Sequence, residues 1–219
     1  MLGLIFILAF GSVSITPTSA DSTAVARLLD EAHLPLTTTR TFAEDITLIR
    51  ALQDRVLQLA PVNEGIPLGR SRELTDLARA GHGLCYDRSR AMEMALRVVG
   101  FDVRHVYVFA PDIGDARWRD LVHRQLPSHA LTEVRTQRGW VMLDSNTPWI
   151  GLRADSSVVG VAAYPKELRA RRVPLLRNLV MLREYKYLFG LYSRHGRFFA
   201  PYISIPDFNL SELLHNVQR

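Results

Sequence analysis

The chain contains one cysteine, Cys85, in the stretch GHGLCYDRSRAMEMALRVVG. A single thiol makes no disulfide within its own chain, so Cys85 is either a small buried apolar side chain or a nucleophile. The residues after it have a helical period: Met92, Ala95, Leu96 and Val99 fall at i, i+3, i+4 and i+7. Gly100 is placed to end that helix, and Gly81 and Gly83 let the backbone turn sharply before it begins. Cys85 therefore sits at or just before a helix N-terminus. There, unpaired amides and the positive end of the helix dipole favour the thiolate, which is the nucleophilic form. The Cys85 N–H is also a natural half of an oxyanion hole; a second donor, His82 or an upstream side chain, stays open. A thiolate acting on a carbonyl needs a base within reach, and the base needs an acceptor to orient it. His129 heads HALTEV and Asp144 ends WVMLD, two strand-like runs joined across the turn QRG. Pairing them antiparallel brings His129 and Asp144 together, so that Asp144 accepts from the ring N–H and fixes the tautomer.

The elements that must hold these residues are legible in outline. Residues 21–33 carry an apolar stripe of Val25, Leu28 and Leu29. Residues 42–60 form a stronger amphipathic helix, with Thr41 and Glu44 spaced as a capping box. A short helix is expected to open at Ser71, after the loop PVNEGIPLGR. Arg90, Glu93 and Arg97 lie elsewhere on the wheel of the cysteine helix, away from its apolar stripe. From residue 101 the pattern turns to strands. FDVRHVYVF carries Val103, Val106 and Val108, and the hairpin of SHALTEVRT with GWVMLD follows a polar loop. Further strand is expected in EYKYLFGLYS, then a short final helix in NLSELLHN capped by Asn209 and Glu212. Helices first and antiparallel sheet after make this an α+β fold.

The segments GLCYDRSRAMEMALRVVGFDVRHVYV, SHALTEV and GWVMLDSN resemble the core of the transglutaminase-like superfamily over about residues 70–148. Its pattern is a Gly-x-Cys helix start, a helix ending in Gly before a strand, a His-Ala-x-x-Glu-Val strand and a Trp-x-x-x-Asp strand. The resemblance implies a papain-like α+β fold with Cys85 as nucleophile, His129 as base and Asp144 as orienter, passing an acyl group through a thioester. Leu131 stands where many members carry Trp. The implied activity is cysteine peptidase or amidase chemistry on peptide or protein substrates, with hydrolysis expected over cross-linking. A protein cross-linking transglutaminase, or a non-catalytic binding module of a cell-envelope or polysaccharide system, is the alternative.

Competing chemistries find less support. His82, Cys85, His123 and His129 could surround zinc, but one thiolate among scattered histidines is a poor signature and leaves Asp144 without a role. No metal or organic cofactor is expected, and no Gly-x-Ser-x-Gly motif occurs. At 219 residues, 47% hydrophobic and 22% charged, the chain suits one globular domain over residues 21–219, with a C-terminal extension from residue 150. Residues 161–199 hold nine Lys or Arg against Glu167 and Glu184, although the net charge of the whole chain is only +5. That region could meet anionic polysaccharide or a membrane surface; no nucleic acid is expected. Tyr185, Tyr187, Phe189 and Leu191 alternate as the core face of a strand, and SRHGRFFAPY reads as a loop lining the cleft. Residues 1–20 are uncharged and apolar and end in small residues, as a secretory signal or N-terminal anchor does, so the expected location is periplasmic or extracellular.

Overall fold

The computed structural model describes residues 13–32, 39–67, 69–123, 126–192 and 207–217. Four helices come first: α1 (Ser19–Glu31), α2 (Phe42–Leu59), α3 (Leu74–Ala80) and α4 (Cys85–Val98). Strands β1 (Asp102–Phe109), β2 (Ser128–Thr136) and β3 (Gly139–Asp144) follow, with a 3-10 turn at Trp118–Val122 between the first two. A short helix α5 (Tyr164–Arg169), strands β4 (Lys186–Phe189), β5 (Leu191–Tyr192) and β6 (Asp207–Phe208), and helix α6 (Leu210–Leu214) complete the chain. The main sheet is antiparallel in the order β3-β2-β1-β4, and β5 pairs with β6 in a separate ribbon.

The caps explain the helix boundaries. Thr41 and Glu44 form the expected capping box at the start of α2. Helix α1 begins two residues earlier than its apolar stripe suggests, because Thr18 and Asp21 close a capping box of their own. Helix α3 begins at Leu74, three residues beyond Ser71, with Glu73 as its N-cap. The predicted leader thus ends inside the first turn of α1, and Val13 and Ser14 before it pack against the fold. Val13 is buried and its N–H donates to Phe208 O, while Ser14 O accepts from Arg90.

The sheet is covered on both faces. Val103, Val134, Val141 and Leu143 pack against the four helices. Val106, Val108, Leu131 and Met142 pack against residues 159–181 on the other side. The three valines of β1 therefore do not share a face, as period-two geometry requires for positions 103 and 106. Burial on both faces is why the second half of β1, residues 106–109, is a continuous apolar run rather than alternating. Gly190, at φ +71°, breaks the predicted C-terminal strand into β4 and β5. A Cβ there would also lie 2.7 Å from Asn209 O, so the break seats β5 against the start of α6.

On α4, Arg90 and Glu93 lie off the apolar stripe and are buried nonetheless. The C-terminal elements close over that side: Tyr192 Oη lies 2.8 Å from both Glu93 Oε1 and Glu212 Oε2, and Arg97 pairs with both carboxyl groups. Glu212 serves this network with its side chain, while Asn209 Oδ1 accepts from the Glu212 N–H to cap α6. The loop SRHGRFFAPY lies outside the described residues.

Candidate active site

Cys85 is the first residue of α4, after Leu84 in extended conformation. The helical ladder starts with the N–H groups of Asp87 and Arg88 donating to Leu84 O, so the Cys85 amide precedes it. Asp87 Oδ2 turns back to accept from the Leu84 N–H at 2.9 Å, which fixes the entry of the chain. Gly83 is needed there for space: a Cβ would lie 2.6 Å from Leu77 Cδ1.

The hairpin forms with the expected turn at Gln137–Arg138, and its register pairs Leu131 with Asp144. His129 and Leu131 are two residues apart on β2 and share a face, so Asp144 is the diagonal neighbour of His129. Their side chains meet, with His129 Nε2 2.6 Å from Asp144 Oδ1 and both residues buried. Asp144 Oδ2 accepts from the N–H groups of Asn146 and Thr147 and from Thr147 Oγ1 at 2.7 Å. Cys85, half-buried, lies on the other side of His129 and receives a hydrogen bond from it, and another from the Ala130 N–H. With Nε2 engaged by Asp144, Nδ1 is the ring nitrogen left for the sulfur.

The electrostatics follow from this packing. Burial alone would raise the Cys85 pKa, but the hydrogen bond and charge of His129, the Ala130 amide and the charge of Arg88 hold it below the ordinary thiol value. Burial also disfavours an imidazolium, yet the hydrogen bonds and charges of Asp144 and Cys85 lift His129 to about 9. Asp144, against its own burial, is held below the usual carboxylate range by His129, Thr147 and Asn146. All three directions favour a thiolate–imidazolium pair resting on an ionised Asp144 over the neutral forms.

The structure thus brings Cys85, His129 and Asp144 together, and leaves the other candidate residues apart. His82 turns its Nδ1 to Glu64 O at 3.0 Å, and His123 is exposed after the 3-10 turn. Among the described residues no group of three or more His, Cys, Asp or Glu side chains is placed to hold a metal. Two supporting residues escaped the sequence reading. Gln53 of α2 is buried and donates to Asp144 O at 2.9 Å and to Trp149 O at 2.8 Å, bracing the end of β3. Arg88 is 3% exposed and hydrogen-bonded on every side. Signals existed for part of this: DSNT has the spacing of an Asx turn, and Arg88 lies one helical turn beyond Cys85.

A sequence model described as the transglutaminase-like superfamily matches residues 34–145, just over half of the chain. No curated protein sequence matches it. Among solved structures the chain is similar to a candidate cysteine protease from Cytophaga hutchinsonii, at 10% identity and a TM-score of 0.41, covering 80% of this chain and 49% of that one. It is also similar to Rad4–Rad23 crosslinked to undamaged DNA, at 15% identity and a TM-score of 0.39, covering 86% and 45% of the two chains. A third match is Rad4–Rad23 bound to a 6-4 photoproduct lesion, at 13% identity and a TM-score of 0.35, with 78% and 41% covered. The chain spans half or less of the length of each of these structures.

Proposed function

The chain belongs to the transglutaminase-like superfamily, whose α+β arrangement of helices and antiparallel sheet it adopts, and we propose that it is a thiol-dependent acyl-transfer enzyme that hydrolyses peptide or amide bonds. The observation that carries this reading is the 2.6 Å contact between His129 Nε2 and Asp144 Oδ1, with Cys85 on the opposite side of the same ring. A histidine held this way by a saturated carboxylate is oriented for proton transfer rather than for packing.

In the proposed reaction the Cys85 thiolate attacks the carbonyl carbon, and the developing oxyanion is met by the Cys85 N–H at the head of α4. The His129 imidazolium gives its proton to the leaving amine, and the C–N bond breaks to leave a thioester on Cys85. His129, now neutral, takes a proton from water as that water attacks the thioester; the C–S bond breaks, the carboxylic acid leaves, and the released thiolate re-forms the ion pair with the His129 imidazolium. Asp144 keeps the ring in place and stabilises its charge throughout. The substrate class proposed is a peptide or protein, on the ground that the thioester route suits an amide carbonyl.

Alkylation of Cys85 by iodoacetamide, followed by intact mass across a range of pH, tests the nucleophile. Fast labelling should persist well below the pH at which an ordinary thiol ionises, and Cys85→Ala should abolish both labelling and turnover while the thermal unfolding midpoint holds. Labelling that follows the pH dependence of free cysteine would remove the basis for the enzyme reading.

A further inference from the structure

Arg88 is a charged side chain in the interior whose direct partners are all neutral. Its Nε donates to Ser145 O at 2.7 Å, and Nη1 donates to Gly83 O at 2.6 Å and Ala60 O at 3.0 Å. Its Nη2 donates to the side-chain carbonyls of Asn63 at 2.8 Å and Asn146 at 2.6 Å. A guanidinium has five N–H donors, and these five acceptors use them all. They come from three separate stretches: the end of α2 and the loop after it, the turn immediately before Cys85, and the two residues after Asp144. Burying a cation is costly, and apolar packing would close the same space more cheaply, so a buried guanidinium at this point needs a reason beyond stability.

We propose that Arg88 is the positioning residue of the Cys85–His129–Asp144 group, fixing the first turn of α4 against the end of β3 so that the thiol meets the ring; this rests on the catalytic reading above. Gly83 O and Ser145 O are bound by one rigid planar group, which sets the distance between the stretch that delivers the nucleophile and the stretch that delivers the Asp144 carboxylate. The same clip extends to the base, because Ser145 Oγ donates to Ala130 O at 2.6 Å, next to His129. A lysine has three donors on a flexible stem and cannot hold this set of acceptors.

The location also matters electrostatically. The charges facing Arg88 are those of Cys85, Asp87 and Asp144, which offset the burial that pushes its own pKa down. Asp87 is already paired with Arg72 at 3.3 Å, and Asp144 with His129. The elements facing it from α2 and its following loop offer only the neutral Ala60 and Asn63, and His82 is turned away onto Glu64 O. Arg88 therefore adds its positive charge to the His129 contacts and the Ala130 amide in holding the thiol pKa down.

The test is the pH profile of iodoacetamide alkylation at Cys85 in the full chain, in Arg88→Gln and in Arg88→Lys, with thermal unfolding followed in parallel. The wild-type midpoint should lie below that of an ordinary thiol. Arg88→Gln should raise it, slowing alkylation at pH values below the wild-type midpoint by about tenfold for each unit that the midpoint rises, since a pKa higher by one means ten times less thiolate there. Arg88→Lys, which keeps the charge and loses the fork, should fall between the two. A folded Arg88→Gln with the wild-type midpoint overturns the proposal. If Arg88→Gln does not fold, Arg88→Lys decides: a raised midpoint supports the role and an unchanged one overturns it. A wild-type midpoint equal to that of free cysteine would instead sink the catalytic reading itself, whereas a low midpoint indifferent to Arg88 leaves that reading standing and removes only this inference.

Discussion

A carboxylate that accepts four hydrogen bonds inside a protein has little reason to be protonated, and Asp144 is such a group. Its charge, more than its shape, sets the state of His129. In Asp144→Asn the amide oxygen can still accept from the ring, but the amide NH2 then faces three donors, from Asn146 and Thr147. The imidazolium loses its counter-ion, and the His129 pKa falls from about 9 toward its ordinary value of 6.5. Turnover should drop on the order of 10²- to 10⁴-fold, the range that a general acid–base contributes. The alkaline limb of the pH–rate profile should move to lower pH as well, because the proton on His129 is then lost sooner. Equal rates and an unmoved limb in the asparagine variant would show that Asp144 only packs. The pair of carbonyl contacts made by Gln53 acts at the same scale, holding the backbone of Asp144 rather than its side chain.

At the scale of elements, the site is built from pieces with strong local signals. The hairpin that carries His129 and Asp144 was readable because its alternation is interrupted only by a two-residue turn. The start of α4 was readable because Gly81, Gly83 and the apolar period bracket Cys85. What local patterns could not supply is the burial of Arg88, Arg90 and Glu93, since each has a partner far along the chain, at Asn146, Ser14 and Tyr192 respectively. Charges on a helix read as solvated until distant segments close over them. The same holds at the N-terminus, where the apolar composition of residues 1–20 concealed the capping box of α1. Thr18→Ala should cost about 1 kcal/mol of folding stability, measured by chemical denaturation, the usual loss for a threonine N-cap. A chain beginning at Asp21 should be less stable again, because it also lacks the buried Val13 and the Ser14 O that Arg90 donates to. Equal midpoints for chains beginning at Ser12 and at Asp21 would show that this segment contributes nothing to the fold. Gly83→Ala belongs here too: the added Cβ would push on Leu77 and shift the turn that Arg88 holds, so Cys85 alkylation should slow at neutral pH even where the midpoint of unfolding falls only modestly.

For the whole molecule, the network that joins α4 to the C-terminal elements makes stability depend on pH in two opposite directions. His105 is buried against Tyr192, with ring centroids 4.4 Å apart, and its Nδ1 lies 3.1 Å from Ser89 Oγ. Burial drives its pKa from 6.5 down to about 4, partly countered by Glu93 and reinforced by Arg90. Between those values the unfolded chain binds a proton that the folded chain refuses, so stability rises with pH across this window and is lost as the pH falls through it. The full effect is on the order of 3 kcal/mol, because a tenfold change in proton affinity is worth about 1.4 kcal/mol. Glu212 works the other way. Burial and the neighbouring charge of Glu93 raise its pKa well above the carboxylate range, against the help of Tyr192 and Arg97. The folded chain keeps a proton on Glu212 that the unfolded chain has released, so its contribution is present in acid and lost as the pH rises through the raised value. Two substitutions separate these limbs. His105→Phe keeps a ring against Tyr192 and should flatten the acid limb relative to the wild type. Glu212→Gln, neutral at every pH and still able to meet Tyr192, should flatten the alkaline limb and leave the acid one unchanged. Urea midpoints measured across the pH range for the three proteins decide the matter: parallel curves for the wild type and Glu212→Gln would mean that Glu212 is already ionised in the fold, and that Arg97 rather than a retained proton balances the two carboxylates.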